Sequence, residues 1–160
     1  MKYFLDTEFS ERGPAYPIQL ISIGIVAEDG RTLYAENYEC DWAACNPWVA
    51  ANVLPHLTGP RSTLATIKAA IVDFVGKDSK PEFWGYFADY DWVVFAQIFG
   101  TMMDLPEGWP MYCRDVKQLC DERGNPELPK QNSAEHNALN DARWNQAAWK
   151  FLTDCCAGGR

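Results

Sequence analysis

Five side chains that could hold metal ions or move a proton occur along the chain in the order Asp6, Glu8, Asp91, His136 and Asp141. The first two directly follow an apolar run at residues 3–5 that is typical of a buried strand. Successive side chains of a strand point to opposite faces, so Asp6 and Glu8 project from the same side. Two carboxylates at the edge of a core are costly unless a cation neutralises them. The pair therefore predicts a divalent-metal site, and the alternative is a solvated strand end.

His136 and Asp141 form the last pair. Asn132 and Glu135 resemble a capping box, and residues 134–152 are rich in helix formers, so we predict a helix there with His136 in its first turn. Five residues of a helix turn the two side chains roughly 140° apart. They are therefore not two ligands on one helix face, but they could flank a site, with the aspartate on a metal and the imidazole on a water. The alternative is a capped surface helix with an isolated histidine.

Three motifs together resemble the DEDDh branch of the 3′ to 5′ exonucleases, which have a ribonuclease H-like fold. They are Asp6-Thr-Glu8, Phe87-Ala-Asp-Tyr-Asp91 and His136-Asn-Ala-Leu-Asn-Asp141, and the last is the most specific. The resemblance covers residues 2 to about 152, and the opening of the chain is similar to a compact branch of bacterial and phage exoribonucleases. The first motif continues as Phe-Ser-Glu instead of Thr-Thr-Gly, and Phe87 stands where many relatives carry Asn. These two departures leave the catalytic residues in place and bear on which substrate the enzyme prefers.

The middle acidic residue of the family could be Asp89 or Asp91. We predict a helix over about 89–100 whose apolar face contains Val94, Phe95, Ile98 and Phe99. In the family, the aspartate precedes such a face and follows an aromatic residue, which Tyr90-Asp91 matches. Asp89 is then predicted to be the N-cap of the helix.

The resemblance implies two divalent cations, Mg²⁺ or Mn²⁺, held by Asp6, Glu8 and Asp141, with Asp91 supporting the second ion. Oxygen ligands suit these hard cations. His136 is expected to be the general base on the attacking water, because imidazole titrates near neutral pH. The expected product is a nucleoside 5′-monophosphate.

The order of the predicted elements agrees with this fold. Strands are predicted over 2–6, 18–27, 31–38, 82–86 and 111–114, and helices over 62–75, 89–100, 134–152 and briefly up to Cys120. The predicted fold class is therefore α/β, a ribonuclease H-like mixed sheet of about five strands flanked by helices. The loop at 121–131, which contains Gly124, Pro126 and Pro129, is expected to carry His136 in and out of the site.

Composition predicts one globular domain over residues 1–160, with the last few residues a frayed tail. The chain is 48% hydrophobic and 14% aromatic, enough to bury a core without cross-links. No signal-peptide pattern or membrane-length apolar run is present, so we expect a cytoplasmic protein without a membrane partner. Six cysteines without a Cys-x-x-Cys motif favour reduced thiols over disulfides or a zinc site.

The net charge of −8 disfavours a protein that grips long nucleic acid through its phosphates. Two bound divalent ions would halve that charge. An enzyme that engages a few nucleotides at a chain end can use metals for phosphate and aromatic rings for bases. Short or single-stranded 3′ ends are therefore the expected substrate, and the resemblance implies that they are RNA, with DNA as the alternative.

Other contacts are less specific. Phe9 and Ser10 follow the first motif and are expected to touch the terminal base and sugar, although Phe9 could be core. The segment 48–59 occupies the position of a substrate loop in related enzymes, and His56 within it is interpreted as a surface turn residue. Trp144 and Trp149 are interpreted as core or as a dimer surface, since related enzymes are often homodimers.

Three functions remain possible from the sequence. The first is a metal-dependent 3′ to 5′ exoribonuclease, and the second is a proofreading-like exodeoxyribonuclease. The third is a non-catalytic nucleotide- or RNA-binding module, which would not need the anionic cluster. A ribonuclease H-type endonuclease shares the metals, but His136 five residues before the last aspartate favours the exonuclease.

Overall fold

The computed structural model describes residues 1–131 and 133–154. Within them the chain forms six strands and five α-helices. The strands are β1 (Lys2–Ser10), β2 (Gln19–Ala27), β3 (Thr32–Asn37), β4 (Arg61–Ser62), β5 (Glu82–Gly85) and β6 (Arg114–Asp115). The helices are α1 (Pro47–Asn52), α2 (Leu64–Val75), α3 (Asp89–Phe99), α4 (Val116–Glu122) and α5 (Ala138–Asp154).

The strands form one mixed sheet in the order β4-β3-β2-β1-β5-β6. β1, β2 and β3 pair antiparallel, whereas β5 is parallel to β1, β6 to β5 and β4 to β3. The predicted α/β class with a mixed sheet is confirmed, but the sheet has six strands where about five were expected. The additional strand, β4, has two residues, which is too short for a period-two pattern, and the sequence predicted the start of a helix there.

Side-chain alternation along β1 divides the interior between the two faces of the sheet. Tyr3 and Leu5 pack with α2 and α3, for example against Ile71 and Phe95. Phe4 faces the other way and packs with α4 and α5, for example against Leu152. The next side chains on this second face are Asp6 and Glu8, so the apolar packing gives way to carboxylates towards the end of β1.

Helices α2 and α3 follow the predicted apolar spacing. In α2, Ile67, Ile71 and Val75 are buried, and the Thr63 side chain caps the helix by accepting from the Thr66 N–H. The prediction that Asp89 caps α3 is wrong, because Ala88 is the N-cap and has no side-chain bond. The turn is held instead by the Ala88 N–H, which donates to a carboxylate oxygen of Asp115 on β6 at 2.8 Å.

Helix α5 begins at Ala138, not near residue 134, and His136 lies in the preceding loop. Asn137 caps the helix, since its Oδ1 accepts from the Asn140 N–H at 3.2 Å. The φ angle of His136 is +61°, a left-handed value that is incompatible with a helical turn. The predicted placement of His136 in the first turn is therefore wrong. The capping box proposed for Asn132 involves a residue outside the described ones.

Cys40, Cys45, Cys113 and Cys120 are free thiols. The other two cysteines and the predicted frayed tail fall at residues 155–160, outside the described residues. No helix among the described residues is long and apolar enough to cross a bilayer.

Candidate active site

Strand β1 carries the first two carboxylates and extends beyond its predicted end to Ser10. Asp6 pairs with Gly24 and Glu8 with Ser22, but Phe9 pairs with Leu20, so β2 contains one extra residue at this point. Such β-bulges bend a strand and re-aim side chains, and they are frequent beside functional sites. The bulge lies directly after Glu8, where the sheet must open to expose the carboxylates.

Helix α5 brings Asp141 to this pair because it lies unusually close to the sheet at Gly24. A Cβ atom on Gly24 would lie 2.3 Å from the carbonyl oxygen of Ala138, the first residue of α5. The Asn145 Nδ2 donates to the Leu5 carbonyl at 2.9 Å and holds the helix along β1. Neither Gly24 nor Asn145 was predicted as a site residue, although a glycine inside an apolar strand is a signal of close backbone approach.

The result is a compact group of three carboxylates. One oxygen from each of Asp6, Glu8 and Asp141 lies within 4.8 Å of the others. Carboxylate oxygens at this separation can hold a hard divalent cation such as Mg²⁺ or Mn²⁺. Among residues 1–131 and 133–154, no lysine or arginine forms an ion pair with any of the three.

Asp91 approaches the group from α3, on the opposite face of the sheet. Its Oδ1 accepts from the backbone N–H of Thr7 at 2.7 Å and from the Thr7 hydroxyl at 2.6 Å. Asp91 is 7% exposed, whereas Asp89 faces solvent. The geometry therefore favours Asp91 as the middle acidic residue, while its role as a metal ligand stays a prediction.

The electrostatics of the group are those of crowded anions. Burial, followed by the charges of Asp141 and Asp91, raises the pKa of Glu8 to about 8. Burial, followed by the charges of Asp91, Asp141 and Glu8, raises the pKa of Asp6 well above its usual range. A divalent cation would favour the ionised forms and reverse these shifts.

The other two carboxyl groups are shifted in the same direction. Burial raises the pKa of Asp91 to about 6, even though the hydrogen bonds from Thr7 oppose the shift. Burial also raises the pKa of Asp141, against a hydrogen bond from Gln131. Strongly perturbed carboxyl groups in one cleft are typical of functional sites.

His136 is held at this site by the segment that contains α1. The rings of His136 and Trp48 make a T-shaped contact, with centroids 4.9 Å apart. The neighbouring Asn137 Nδ2 donates to the carbonyl of His56 at 3.1 Å. His56 itself is half-buried and takes part through its backbone. The segment 48–59 therefore supports the loop that presents His136.

Asp6, His136 and Asp141 share a cleft of about 390 Å³. Tyr86 and Trp144 contribute two aromatic rings to its lining. Trp144 was interpreted as core or a dimer surface; it is half-buried against the apolar cluster that contains Phe4, and it also lines the cleft, three residues along α5 from Asp141. Trp149 does pack inside, with its ring centroid 5.6 Å from that of Phe4.

The two predicted substrate contacts differ in exposure. Phe9 stacks on Tyr90 of α3, with centroids 5.5 Å apart and planes inclined by 8°, and also packs against the core. Ser10 is 1% exposed, and its hydroxyl has no hydrogen-bond partner among the residues that the structure describes. Their contacts with substrate stay predictions. A separate apolar cavity of about 140 Å³, between β2 and α3, contains none of the five candidate catalytic residues.

The fold is found in a nuclease of known structure. The crystal structure of cell-death related nuclease 4 superimposes with a TM-score of 0.54, covering 98% of this chain and 64% of that chain. Sequence identity is 11%, so this likeness shows the fold alone. It agrees with the predicted ribonuclease H-like architecture.

Sequence comparison then identifies the family. The family model described as the 3'-5' exoribonuclease Rv2179c-like domain matches residues 1–153. Two Mycobacterium tuberculosis proteins are each 40% identical over 167 residues, covering 100% of this chain and 98% of the relative. They are named 3'-5' exoribonuclease Rv2179c, from strain H37Rv, and 3'-5' exoribonuclease MT2234.1, from strain CDC 1551. The chain belongs to this family, which confirms the prediction that it is an enzyme of the exonuclease class.

Proposed function

We propose that this protein is a metal-dependent 3′ to 5′ exoribonuclease of the DEDDh type. It would release nucleoside 5′-monophosphates from single-stranded or short RNA 3′ ends. The observation that carries the proposal is the group of three carboxylates from β1 and α5, without a neutralising basic side chain among the described residues. Relatives that match the chain along its whole length and are named as 3'-5' exoribonucleases support the choice of RNA.

The donor set fits divalent cations. Asp6, Glu8 and Asp141 would hold one ion, and Asp91 would support a second from the other side of β1. All are hard oxygen donors, and their raised pKa values are the expected cost of holding them together without a cation. When bound, Mg²⁺ or Mn²⁺ supplies activation of the attacking water and stabilisation of the leaving 3′ oxygen.

His136 would accept the proton of the attacking water. It lines the cleft beside Asp6 and Asp141, and its loop is anchored through Trp48 and Asn137. A residue in a loop outside the helix can move towards the substrate without unwinding α5. Closure of such a segment would also exclude bulk water from the reacting phosphate.

The substrate is expected to be an unpaired strand end. With a net charge of −8, the chain has little basic surface for a long phosphate backbone. The cleft instead offers aromatic rings beside the carboxylates. A deoxyribose substrate is the alternative, and so is a non-catalytic RNA-binding module.

The test is a time course on a 5′-labelled single-stranded RNA and its DNA counterpart, with Mg²⁺ or Mn²⁺ and with EDTA. The compared proteins are wild type, Asp141→Asn and the matched control Asp89→Asn, whose carboxyl is exposed on the helix that carries Asp91. We expect 3′ shortening of RNA and mononucleotide product, at least about a hundredfold slower in Asp141→Asn and unchanged in Asp89→Asn. Faster DNA degradation would favour the deoxyribonuclease, and RNA binding without cleavage would overturn the catalytic proposal.

A further inference from the structure

Three aromatic rings lie in contact with one another beside the cleft. The ring centroid of Tyr86 is 4.6 Å from that of Phe87 and 4.9 Å from that of Trp144, and both contacts are T-shaped. Tyr86 and Trp144 line the same cleft as Asp6 and Asp141. We call these three residues the aromatic wall.

Phe87 is not explained by packing. Its side chain is 63% exposed, and its φ angle is +52°, in the left-handed region that bulky side chains avoid. The turn between β5 and α3 requires that conformation, but glycine or asparagine would adopt it at lower cost. An exposed aromatic ring kept on a strained backbone beside a cleft indicates a role in binding.

The aromatic wall lies on a defined side of the carboxylates. In the parallel pairing of β1 and β5, Phe4 is level with Trp84. Tyr86 follows Trp84 by two residues, as Asp6 follows Phe4, so Tyr86 lies beside Asp6 on the α5 face. Phe9, which is stacked on Tyr90 of α3, packs against the α2/α3 cluster on the other face of the sheet.

A phosphodiester at the carboxylates would thus have the aromatic wall on one side. Every cleavable 3′ end has two nucleotides joined by that phosphate: the terminal one that leaves and the penultimate one that remains. The proposed contact of the terminal nucleotide with Phe9 leaves the aromatic wall to its neighbour. Stacking on rings accepts any base and needs no basic groove, which suits an acidic protein.

We propose that Tyr86, Phe87 and Trp144 form a stacking subsite for the base of the penultimate nucleotide. This inference rests on the proposed exonuclease function and adds a substrate subsite to it. The subsite holds the strand that remains after each cut, so its loss raises KM more than it lowers kcat. The subsite also predicts a poor substrate: a terminal nucleotide whose phosphate is joined to a group without an aromatic ring.

The test is a double-mutant cycle between Phe87 and the penultimate base. Short RNA oligomers carry all bases, an abasic ribose at the penultimate position, or an abasic ribose at the terminal position. They are cleaved by wild type, Phe87→Ala and Phe87→Tyr. The control is Tyr112→Ala, a 59% exposed aromatic residue that precedes β6 at the opposite end of the sheet from the carboxylates.

We expect Phe87→Ala to lower kcat/KM on the complete RNA about tenfold, mainly through KM. It should have no further effect on the substrate that lacks the penultimate base, and Phe87→Tyr and Tyr112→Ala should resemble wild type. Equal losses on all three substrates, or coupling to the terminal base, would overturn the subsite. Failure of wild type to cleave any RNA would instead overturn the proposed function.

A second measurement separates stacking from catalysis and from misfolding. The catalytically impaired Asp141→Asn protein is mixed with RNA that carries 2-aminopurine at the penultimate position, whose fluorescence is quenched by stacking. The subsite is supported if binding quenches the fluorescence and if the quenching disappears in the double variant Asp141→Asn, Phe87→Ala. Quenching that is unchanged by Phe87→Ala, with unaltered thermal unfolding, overturns it.

Discussion

The two faces of the central sheet bury different chemistry. On the face covered by α2 and α3, Tyr3, Leu5 and their neighbours form a continuous apolar cluster. On the face covered by α5, the apolar packing ends at Phe4, and the next side chains on β1 are carboxylates. Both faces therefore contribute apolar packing, but one end of the α5 face also holds charge that opposes folding.

The polar region continues across the α5 face beyond the carboxylates. The cross-strand partners of Glu8 are Ser22 and then Glu36. Glu36 is 1% exposed, and its carboxylate accepts from the Gly59 N–H at 2.6 Å and from the Tyr34 hydroxyl at 3.0 Å. These bonds hold the segment after α1 against the sheet, so the loop that supports His136 is fixed by buried polar contacts. On the α2/α3 face, apolar contacts hold the helices against the sheet.

The largest expected effect is that of Asp6→Asn on the α5 face, which should change activity and stability in opposite directions. Asp6→Asn should lower exonuclease activity about a thousandfold, which is about 4 kcal/mol in the activation barrier. It should also raise the unfolding temperature of the metal-free protein, because it removes one of four crowded anions. Nuclease assays and thermal unfolding in EDTA measure the two effects. A variant that is both inactive and less stable would contradict the division of roles.

The opposite behaviour is expected on the α2/α3 face. Ile71→Ala removes a fully buried side chain of α2 and should lower the free energy of unfolding by about 3 kcal/mol. The fraction that remains folded should keep its kcat, since Ile71 lies on the other side of the sheet from Asp141. Urea unfolding and kinetics at low temperature test this prediction. A fall in kcat of the folded protein would show that the faces are coupled.

The pH dependence of stability should follow the α5 face. The pKa of Glu8 rises from 4.5 in the unfolded chain to about 8 in the folded one. The raised value stabilises the metal-free protein fully below pH 4.5, and this contribution is lost as the pH rises through about 8. We expect a loss of roughly 3 to 4 kcal/mol between pH 5 and pH 8 in EDTA. Added Mg²⁺ should stabilise the protein more at pH 8 than at pH 5. Calorimetric scans with and without Mg²⁺ at both pH values measure this, and a larger stabilisation at pH 5 would contradict the prediction.

The smallest expected effect belongs to the loop that joins the polar network to α5. Asn137→Ala removes the helix cap and the bond to the His56 carbonyl, and should cost about 1 kcal/mol of stability. Because the loop then presents His136 less firmly, kcat should fall by more than KM rises. Lys150→Ala, at an exposed position of the same helix, is the control that leaves Asn137 and its loop in place. Equal kinetic effects in both variants would argue against a positioning role for Asn137.

Much of the fold could be predicted because its signals are local. The apolar run before Asp6, the turn at Gly30 and the spacing of Ile67, Ile71 and Val75 each depend on residues that are close in the chain. The predicted ends of β5, α2 and α3 lie within about two residues of the observed ones. The two-residue strand β4 carries no such pattern, because it exists only through its pairing with β3.

The start of α5 shows where local reasoning fails. Two asparagines, at 132 and 137, could each serve as a cap, and the helix formers between them favoured the earlier one. Asn137 is the observed cap, since its side-chain amide also binds the distant His56 carbonyl while its oxygen caps the helix. The left-handed conformation of His136 follows from that choice.

The sequence by itself determined the order of the elements, the alternation that puts Asp6 and Glu8 on one face, and the motif that marks the exonuclease class. Only the tertiary structure decided that Thr7 binds Asp91, that Gly24 admits α5, and that Trp144 lines the cleft. The physical reason is sequence separation. Periodicity and capping act within a few residues, whereas these contacts join residues far apart in the chain and exist only once the sheet and helices have packed.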